Sequence, residues 1–152
     1  MPTWPLTIYY DASCPLCREE LHALAAADRA GRLRLHEIAA PDAVDAHCRA
    51  AGVDRAMLMA RIHARDADGR WYRGVPVFEL AYGAAGLAGV AALFAHPRLR
   101  PWWDRVYPWV ADHRQALSRL RLHRLFGWVV RFAAARAAKR ASACDAGECG
   151  VR

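Results

Sequence analysis

Several features are missing or scarce in this chain of 152 residues, beginning with lysine, which occurs once. The first residues, Met1 to Pro5, have no basic start and no apolar run with a small-residue cleavage site, so we expect no secretory signal. The run from Leu80 to Ala95 holds 16 uncharged residues and three glycines, which is short for a transmembrane helix. We therefore expect a cytoplasmic protein, and in a reducing compartment close cysteine pairs are catalytic or metal-binding rather than structural.

Acidic residues are absent from residues 114 to 140, and this absence explains the net charge of +7. Residues 1 to 112 carry 13 basic and 13 acidic residues, whereas residues 113 to 152 carry nine and two. A basic amphipathic helix at 114 to 140 can lie on an anionic membrane surface or bind an acidic partner. A solvated helix whose apolar side closes the domain fits the pattern equally well. The balanced charge elsewhere argues against a nucleic-acid partner.

Two cysteines mark the junction between a predicted strand and a predicted helix. Leu6 to Tyr10 is β-branched, aromatic and nearly unbroken, which favours a strand covered on both faces. The helical spacing then begins near Pro15, which suits the first helical position, and Gly31 is the predicted stop. Cys14 is therefore expected at the N-cap, where unpaired N–H groups and the helix dipole favour the thiolate, with Cys17 one turn further in.

This spacing predicts thiol–disulfide exchange, with Cys14 as the nucleophile and Cys17 as the resolving thiol. A Cys-x-x-Cys pair also forms half of many zinc sites, so a structural protein with four zinc ligands stays open: Cys14, Cys17, Cys144 and Cys149. The zinc content of the purified protein separates the two. A third possibility is a non-enzymatic adaptor that uses the basic helix to bind a membrane or a partner.

The chain resembles the DCC family of predicted thiol-disulfide oxidoreductases, bacterial proteins with a thioredoxin-like core. The likeness covers roughly residues 5 to 125 and rests on these stretches: Tyr9 to Cys17, Arg18-Glu19-Glu20-Leu21, Arg32-Leu33-Arg34, Ile38-Ala39-Ala40-Pro41, Gly52 to Arg55, Ile62 to Arg70, and Gly74-Val75. It implies an α/β, thioredoxin-like (glutaredoxin-like) fold that acts on protein or small-molecule disulfides without a cofactor.

The pattern is consistent with a four-stranded mixed sheet of order 2-1-3-4. Leu33 to Ile38 alternates as a second, parallel strand, and Asp68-Gly69 favours a hairpin between the third and fourth strands. Between the second and third strands we expect one helix that begins at Asp42 and buries Cys48, and another capped by Asp54. Asp11 is a candidate for hydrogen bonds within the loop or for proton transfer to Cys17, and a plain turn-forming role is equally consistent.

The second half of the chain predicts helices. Pro76 follows the fourth strand, so we expect a trans residue in the first turn of a helix, with a cis-proline opposite the cysteines as the alternative. A buried helix pair should follow from Val77 to Ala95. An aromatic helix with a kink at Pro108 then packs on the sheet or presents an apolar docking surface. We expect a thioredoxin-like domain at 1–112, the basic helical extension at 113–141 and a flexible cysteine-containing tail at 142–152.

Overall fold

The computed structural model describes residues 2–40 and 43–119 of the chain. The strands of this part are β1 (Leu6–Tyr10), β2 (Leu33–Glu37), β3 (His63–Arg65) and β4 (Trp71–Arg73). The helices are α1 (Pro15–Ala27), α2 (Ala46–Ala50), α3 (Arg55–Ala60), α4 (Val75–Ala84), α5 (Ala88–Ala95) and α6 (Arg100–Arg119).

The four strands form one mixed sheet of order β2-β1-β3-β4, as the sequence predicted. β1 pairs in parallel with β2 and antiparallel with β3, and β3 pairs antiparallel with β4. The predicted hairpin is confirmed, and Gly69 supplies its positive φ of 87°. This arrangement places the carboxyl end of the central strand β1 at the start of α1.

β1 is covered on both faces, which confirms the interpretation of its apolar run. Leu6, Ile8 and Tyr10 face a core that includes Leu21 of α1 and Val77 of α4. On the other face, the fully buried ring of Tyr9 packs in a second cluster with three buried side chains: Ile38, Cys48 of α2 and Leu58 of α3. The prediction that Cys48 is a core residue is therefore confirmed.

Two predicted helix boundaries were wrong. α1 ends at Ala27, well before Gly31, because the Asp28 carboxylate accepts a hydrogen bond of 2.7 Å from the backbone N–H of Leu33 and holds the chain in its turn toward β2. α2 begins after Asp45 rather than at Asp42, because the Asp45 carboxylate accepts a hydrogen bond of 2.8 Å from the Cys48 N–H and so caps the helix. The predicted cap at Asp54 of α3 is confirmed.

α4 and α5 form the predicted helix pair, but only α4 is a core helix. Pro76 lies in the first turn of α4 and its peptide bond is trans, as expected. α5 contains no buried residue, and Leu93 is exposed. The prediction of two buried helices was wrong for α5, because Val90, Ala91 and Phe94 pack against the edge of the core but stay partly exposed.

α6 is a helix of 20 residues that continues through Pro108. It packs against α1, α4 and α5, not against the sheet, because α1 and α4 already cover that face of the sheet. The rings of Trp103 and Phe94 lie 4.8 Å apart, and those of Tyr107 and Phe78 lie 5.5 Å apart. The expectation of direct packing on the sheet was therefore wrong.

The predicted boundary between residues 112 and 113 falls inside α6, and the three-part division of the chain stays a prediction. Most of the basic extension and the whole cysteine-containing tail lie outside the described residues. None of the helices within the described ranges is long and apolar enough to cross a membrane.

Candidate active site

Cys14 caps α1, as predicted. Its φ of −91° and ψ of 105° are extended, Pro15 takes the first helical position, and the Cys14 Sγ accepts a hydrogen bond of 3.3 Å from the Cys17 N–H. The sulfur thus takes the place that a serine or aspartate oxygen holds in most N-caps. One of the free N–H groups of the first turn is thereby paired with the Cys14 sulfur.

The loop before the helix is held by Asp11, which is buried. Its backbone carbonyl accepts a hydrogen bond of 3.2 Å from the Cys14 N–H. Its Oδ1 accepts hydrogen bonds from the backbone N–H of Ser13, at 2.9 Å, and from the Ser13 hydroxyl. These are the loop hydrogen bonds considered for Asp11 from the sequence, and they connect the end of β1 rigidly to the cap of α1.

The two cysteines are free thiols, and the Cys17 Sγ lies 2.7 Å from the Cys14 Sγ, to which it donates a hydrogen bond. That bond, the N–H of Cys17 and the positive charge of Arg114 together lower the pKa of Cys14 to about 6, against the opposing effect of burial. The pKa of Cys17 is raised, first by its hydrogen bond to Cys14 and then by burial. The pair therefore holds one proton, on Cys17, near neutral pH.

Two residues of α6 complete the site, and neither was predicted there. The Ser118 Oγ lies 3.9 Å from the Cys14 Sγ, accepts a hydrogen bond of 3.3 Å from the Leu16 N–H and donates one of 2.7 Å to the Arg114 carbonyl. The Arg114 guanidinium lies 3.2 Å from the Asp11 Oδ2. Their spacing of four residues places them on one helix face, but nothing in the sequence indicates that this face meets Cys14.

Arg114 also corrects the interpretation of the basic helix. The charge pattern predicts that Arg114 is available to a membrane or an acidic partner. Its side chain is instead largely buried against the Asp11 carboxylate. The next basic residue of that stretch is Arg119, whose side chain is not described. The others lie beyond the described residues. Binding to a membrane or an acidic partner stays a prediction.

An apolar groove lies beside Cys17, between α1, α4 and α6. Its inner part, of about 90 Å³, is lined by Cys17, Glu20 and Ile62 among others. Its outer part, of about 310 Å³, continues past Phe78 and Val110 of the two flanking helices. Glu20 lines both parts of the groove, and the charged side chains of Asp11 and Arg114 also line the inner part.

Glu20 lies three residues after Cys17 in α1, about one helical turn further on. The Tyr82 hydroxyl donates a hydrogen bond of 2.7 Å to the Glu20 Oε1. Burial raises the pKa of the Glu20 carboxyl, and the Tyr82 hydrogen bond opposes that shift. No role in the site was predicted for Glu20 from the sequence, although the helical spacing places it on the same face of α1 as Cys17.

Residues that could hold a metal are not grouped in the described part of the chain: no set of three or more histidine, cysteine or acidic side chains lies close enough there. The zinc alternative needs Cys144 and Cys149, which lie outside the described residues. Cys48 is too far along the other face of the sheet to join Cys14, since it packs with Tyr9 and Leu58. The four-cysteine site therefore stays an untested alternative.

The fold and the site define a class: a thioredoxin-like α/β domain with a dithiol where the central strand meets a helix. The chain belongs to the DCC1-like thiol-disulfide oxidoreductase family, whose model matches residues 8–120. Thiol–disulfide oxidoreductase activity is thus the general function that the family supports. The resemblance inferred from Tyr9 to Cys17 and the later stretches is confirmed.

One curated relative comes from Arabidopsis thaliana and is described as "Uncharacterized protein At5g50100, chloroplastic". It is 29% identical over 112 residues, which cover 73% of this chain and 51% of the relative. The chain therefore spans about half the length of that relative, and the expected bacterial origin stays a prediction. No solved structure gave a significant match.

Proposed function

We propose that this protein catalyses dithiol–disulfide exchange through Cys14 and Cys17. The Cys14 thiolate attacks one sulfur of a substrate disulfide, and the other substrate sulfur leaves as a thiolate and takes up a proton. Cys17 then loses its proton and attacks the Cys14 sulfur of the mixed disulfide. The second substrate thiol leaves, so the substrate is reduced by two electrons and the Cys14–Cys17 pair is oxidised to a disulfide.

The observation that carries this proposal is the asymmetry of the two thiols across 2.7 Å. Cys14 has a pKa of about 6 and is a thiolate near neutral pH, whereas Cys17 keeps its proton. A nucleophile and a resolving thiol need that difference, because the first must attack at once and the second must wait for the mixed disulfide. Asp11 supports the pair by fixing the loop and by holding Arg114 beside it.

The substrate class in this proposal is a disulfide, either in a protein or in a small molecule. The outer part of the groove suits an uncharged, apolar group of the substrate, because apolar side chains line almost all of that part. A reducing compartment such as the cytoplasm suits a protein whose described cysteines, Cys14, Cys17 and Cys48, are free thiols. Trapping the thiol state by rapid acid quench and alkylation in cells tests the location.

The test is to trap the mixed disulfide. In a Cys17→Ser protein, reaction with hydroxyethyl disulfide should give a stable adduct on Cys14, identified by peptide mass mapping. The Cys14→Ser protein should give none, and the Cys48→Ser protein should proceed to the Cys14–Cys17 disulfide as the unmodified protein does. An adduct on Cys17 in the Cys14→Ser protein, with none on Cys14 in the Cys17→Ser protein, would reverse the assignment of the two thiols.

A redox titration of the Cys14–Cys17 pair then gives the direction of the reaction, because the reduction potential places the protein among reductants or oxidants. The metal content of the same preparation serves as the control for the zinc alternative. One zinc ion per chain, with thiol reactivity that appears when the metal is removed and disappears when it is added back, would contradict the exchange function.

A further inference from the structure

The proposed nucleophile has no access to a substrate in this structure. Cys14 is 0% exposed, whereas Cys17 is partly exposed. Exchange requires the Cys14 sulfur to approach the substrate disulfide directly, so the rate depends on access as well as on the thiolate fraction. The reduced, closed arrangement is therefore not the one that reacts, and some element must move away from Cys14.

The last turns of α6 are the element that reaches Cys14 from outside its own loop and helix. Ser118 is itself buried, lies 3.9 Å from the Cys14 Sγ and pairs with the Leu16 N–H, the other free donor in the first turn of α1. Arg114 reaches the loop on its other side through Asp11. Two residues of α6, four positions apart, thus hold this end of the helix over the sulfur.

The two halves of α6 are attached differently. Before Pro108, Trp103 donates a hydrogen bond of 2.9 Å to the Leu93 carbonyl and packs on Phe94, and Tyr107 packs on Phe78. After Pro108, the polar contacts that the described side chains make with the rest of the domain are those of Arg114 and Ser118 and an ion pair between Arg61 and Asp112, at 2.7 and 3.4 Å. The Asp112 side chain is 58% exposed, and ion pairs at exposed sites contribute little, so the site contacts are the main polar attachment of this half.

Both the packing and the backbone favour movement of the second half. The groove of about 310 Å³ runs along both halves of α6, and in the second half it leaves Val110 and Leu117 without neighbours on one side. Pro108 has no N–H to donate to the Asp104 carbonyl, and helices bend most readily at such a residue. A hinge therefore exists where the firmly packed half ends.

We propose that residues 109–119 of α6 form a cover over Cys14 that must lift before the thiolate can attack a disulfide, and that Arg114 and Ser118 hold the cover closed. This inference rests on the proposed exchange function. In the closed state Arg114 also stabilises the thiolate by its charge. Closing thus protects an ionised sulfur, and opening makes it reactive.

The test measures alkylation of Cys14 by iodoacetamide in the reduced full chain over a pH series, with the site read by peptide mass mapping. The midpoint of the curve reports the pKa, and the plateau at high pH reports access. Arg114→Gln should raise the plateau by roughly tenfold, because one buried charged hydrogen bond is lost. It should also move the midpoint upward, because a cation near the thiolate is lost. Ser118→Ala should raise the plateau by less, because it removes the contact with the Leu16 N–H.

Arg105→Gln is the matched control, since Arg105 is an exposed arginine of the same helix before the hinge. It should change neither quantity. Hydrogen exchange of the unmodified protein gives a second measurement that needs no variant. Amides of residues 109–119 should exchange faster than those of β1 and of α6 before Pro108.

The cover is disproved if Cys14 of the unmodified protein is alkylated at high pH as fast as a cysteine of an unfolded chain, and if Arg114→Gln and Ser118→Ala do not change that rate. Equal protection of both halves of α6 also disproves it. These readouts do not depend on exchange: a protein that shows the cover but forms no mixed disulfide disproves the proposed function and leaves the cover standing. A protein that exchanges rapidly and whose Cys14 is alkylated as fast as a cysteine of an unfolded chain disproves the cover and leaves the proposed function standing.

Discussion

The first turns of α1 and α2 repeat one arrangement with different chemistry. In α1 the cap is Cys14 and the third helical residue is Cys17, whereas in α2 the cap is Asp45 and the third residue is Cys48. In both helices the third backbone N–H donates to the cap side chain, at 3.3 Å and 2.8 Å. The two sites lie on the two sides of β1, so each can serve as a control for the other.

The thiols at the third position behave alike. Burial and the hydrogen bond to Asp45 raise the pKa of Cys48, and the hydrogen bond to Cys14 and burial raise that of Cys17. Cys14, which is as buried as Cys48, has its pKa lowered because it receives hydrogen bonds from Cys17. The comparison teaches that the position in the cap decides the acidity of a buried thiol. A thiol at the cap accepts hydrogen bonds, whereas a thiol at the third helical position donates one.

The largest expected effect comes from removing one buried sulfur on each side of β1. Cys14→Ser should lower the rate of disulfide reduction by roughly a thousandfold or more, because the nucleophile is lost. Cys48→Ser should leave the rate of the folded protein within a factor of about two, since this thiol only packs. Turnover of hydroxyethyl disulfide, with circular dichroism as the folding control, measures both. Equal losses would place Cys48 in the reaction.

Removing the Cys17 thiol, which donates a hydrogen bond to Cys14, should reduce the difference in acidity between Cys14 and Cys48. In Cys17→Ala, the Cys17 N–H remains but the thiol donor is gone, so the pKa of Cys14 should rise from about 6 toward the ordinary 9.0. The measurement is the pH dependence of thiolate absorbance near 240 nm, a wavelength at which thiolates absorb more strongly than thiols. A pKa that stays near 6 would assign the shift to the helix terminus and Arg114 alone.

Stability should depend on pH in opposite directions for the two thiols. The folded pKa of Cys14 is below its unfolded value of 9.0, so its contribution is present above pH 9 and is lost as the pH falls toward about 6. The folded pKa of Cys48 is raised, so its contribution is present below its unfolded value of 9.0 and is lost as the pH rises further.

Urea unfolding of the reduced protein, measured between about pH 6 and pH 9, checks this sign. The free energy of unfolding of the unmodified protein, minus that of Cys14→Ser, should grow as the pH rises through this range. For Cys48→Ser the same difference should stay flat until the pH exceeds the unfolded value. A flat Cys14 curve would mean that its thiol is not perturbed in the folded state.

The cap of α2 can be tested in the same way. Asp45→Ala should lower the free energy of unfolding by about 1 to 2 kcal/mol, because the Cys48 N–H and the Tyr9 hydroxyl both lose their acceptor. Asp54→Ala, at the more exposed cap of α3, should cost less, about 0.5 to 1 kcal/mol. Urea unfolding measures both, and equal costs would show that the contact with Tyr9 adds nothing.

The smallest expected effect concerns Glu20, a carboxyl group in the groove beside Cys17. Burial raises its pKa, so its ionisation opposes folding above the unfolded value of 4.5. Glu20→Gln should therefore be slightly more stable than the unmodified protein at pH 7, and the difference should vanish below about pH 4. Thermal unfolding at the two pH values measures it, and a less stable variant at pH 7 would point to an unseen partner of the carboxylate.

The features predicted correctly from the sequence depend on residues that are near one another in the chain. The run from Leu6 to Tyr10 predicted a strand buried on both faces, and Pro15 placed Cys14 at the cap of α1. The sheet order followed from the parallel connection through α1 and the hairpin at Gly69. The boundaries at Asp28 and Asp45 were missed because side-chain hydrogen bonds, rather than the glycine or the first acidic residue, set them.

What the sequence by itself determined is the local chemistry: a thiol at a helix cap with a second thiol one turn behind it. Only the tertiary structure decided that Arg114 and Ser118, about a hundred residues later, close over that thiol and set its access. The physical reason is that helical periodicity shows which side chains share a face. The element that this face meets depends on which surfaces of α1 and α4 are left uncovered after the sheet has packed.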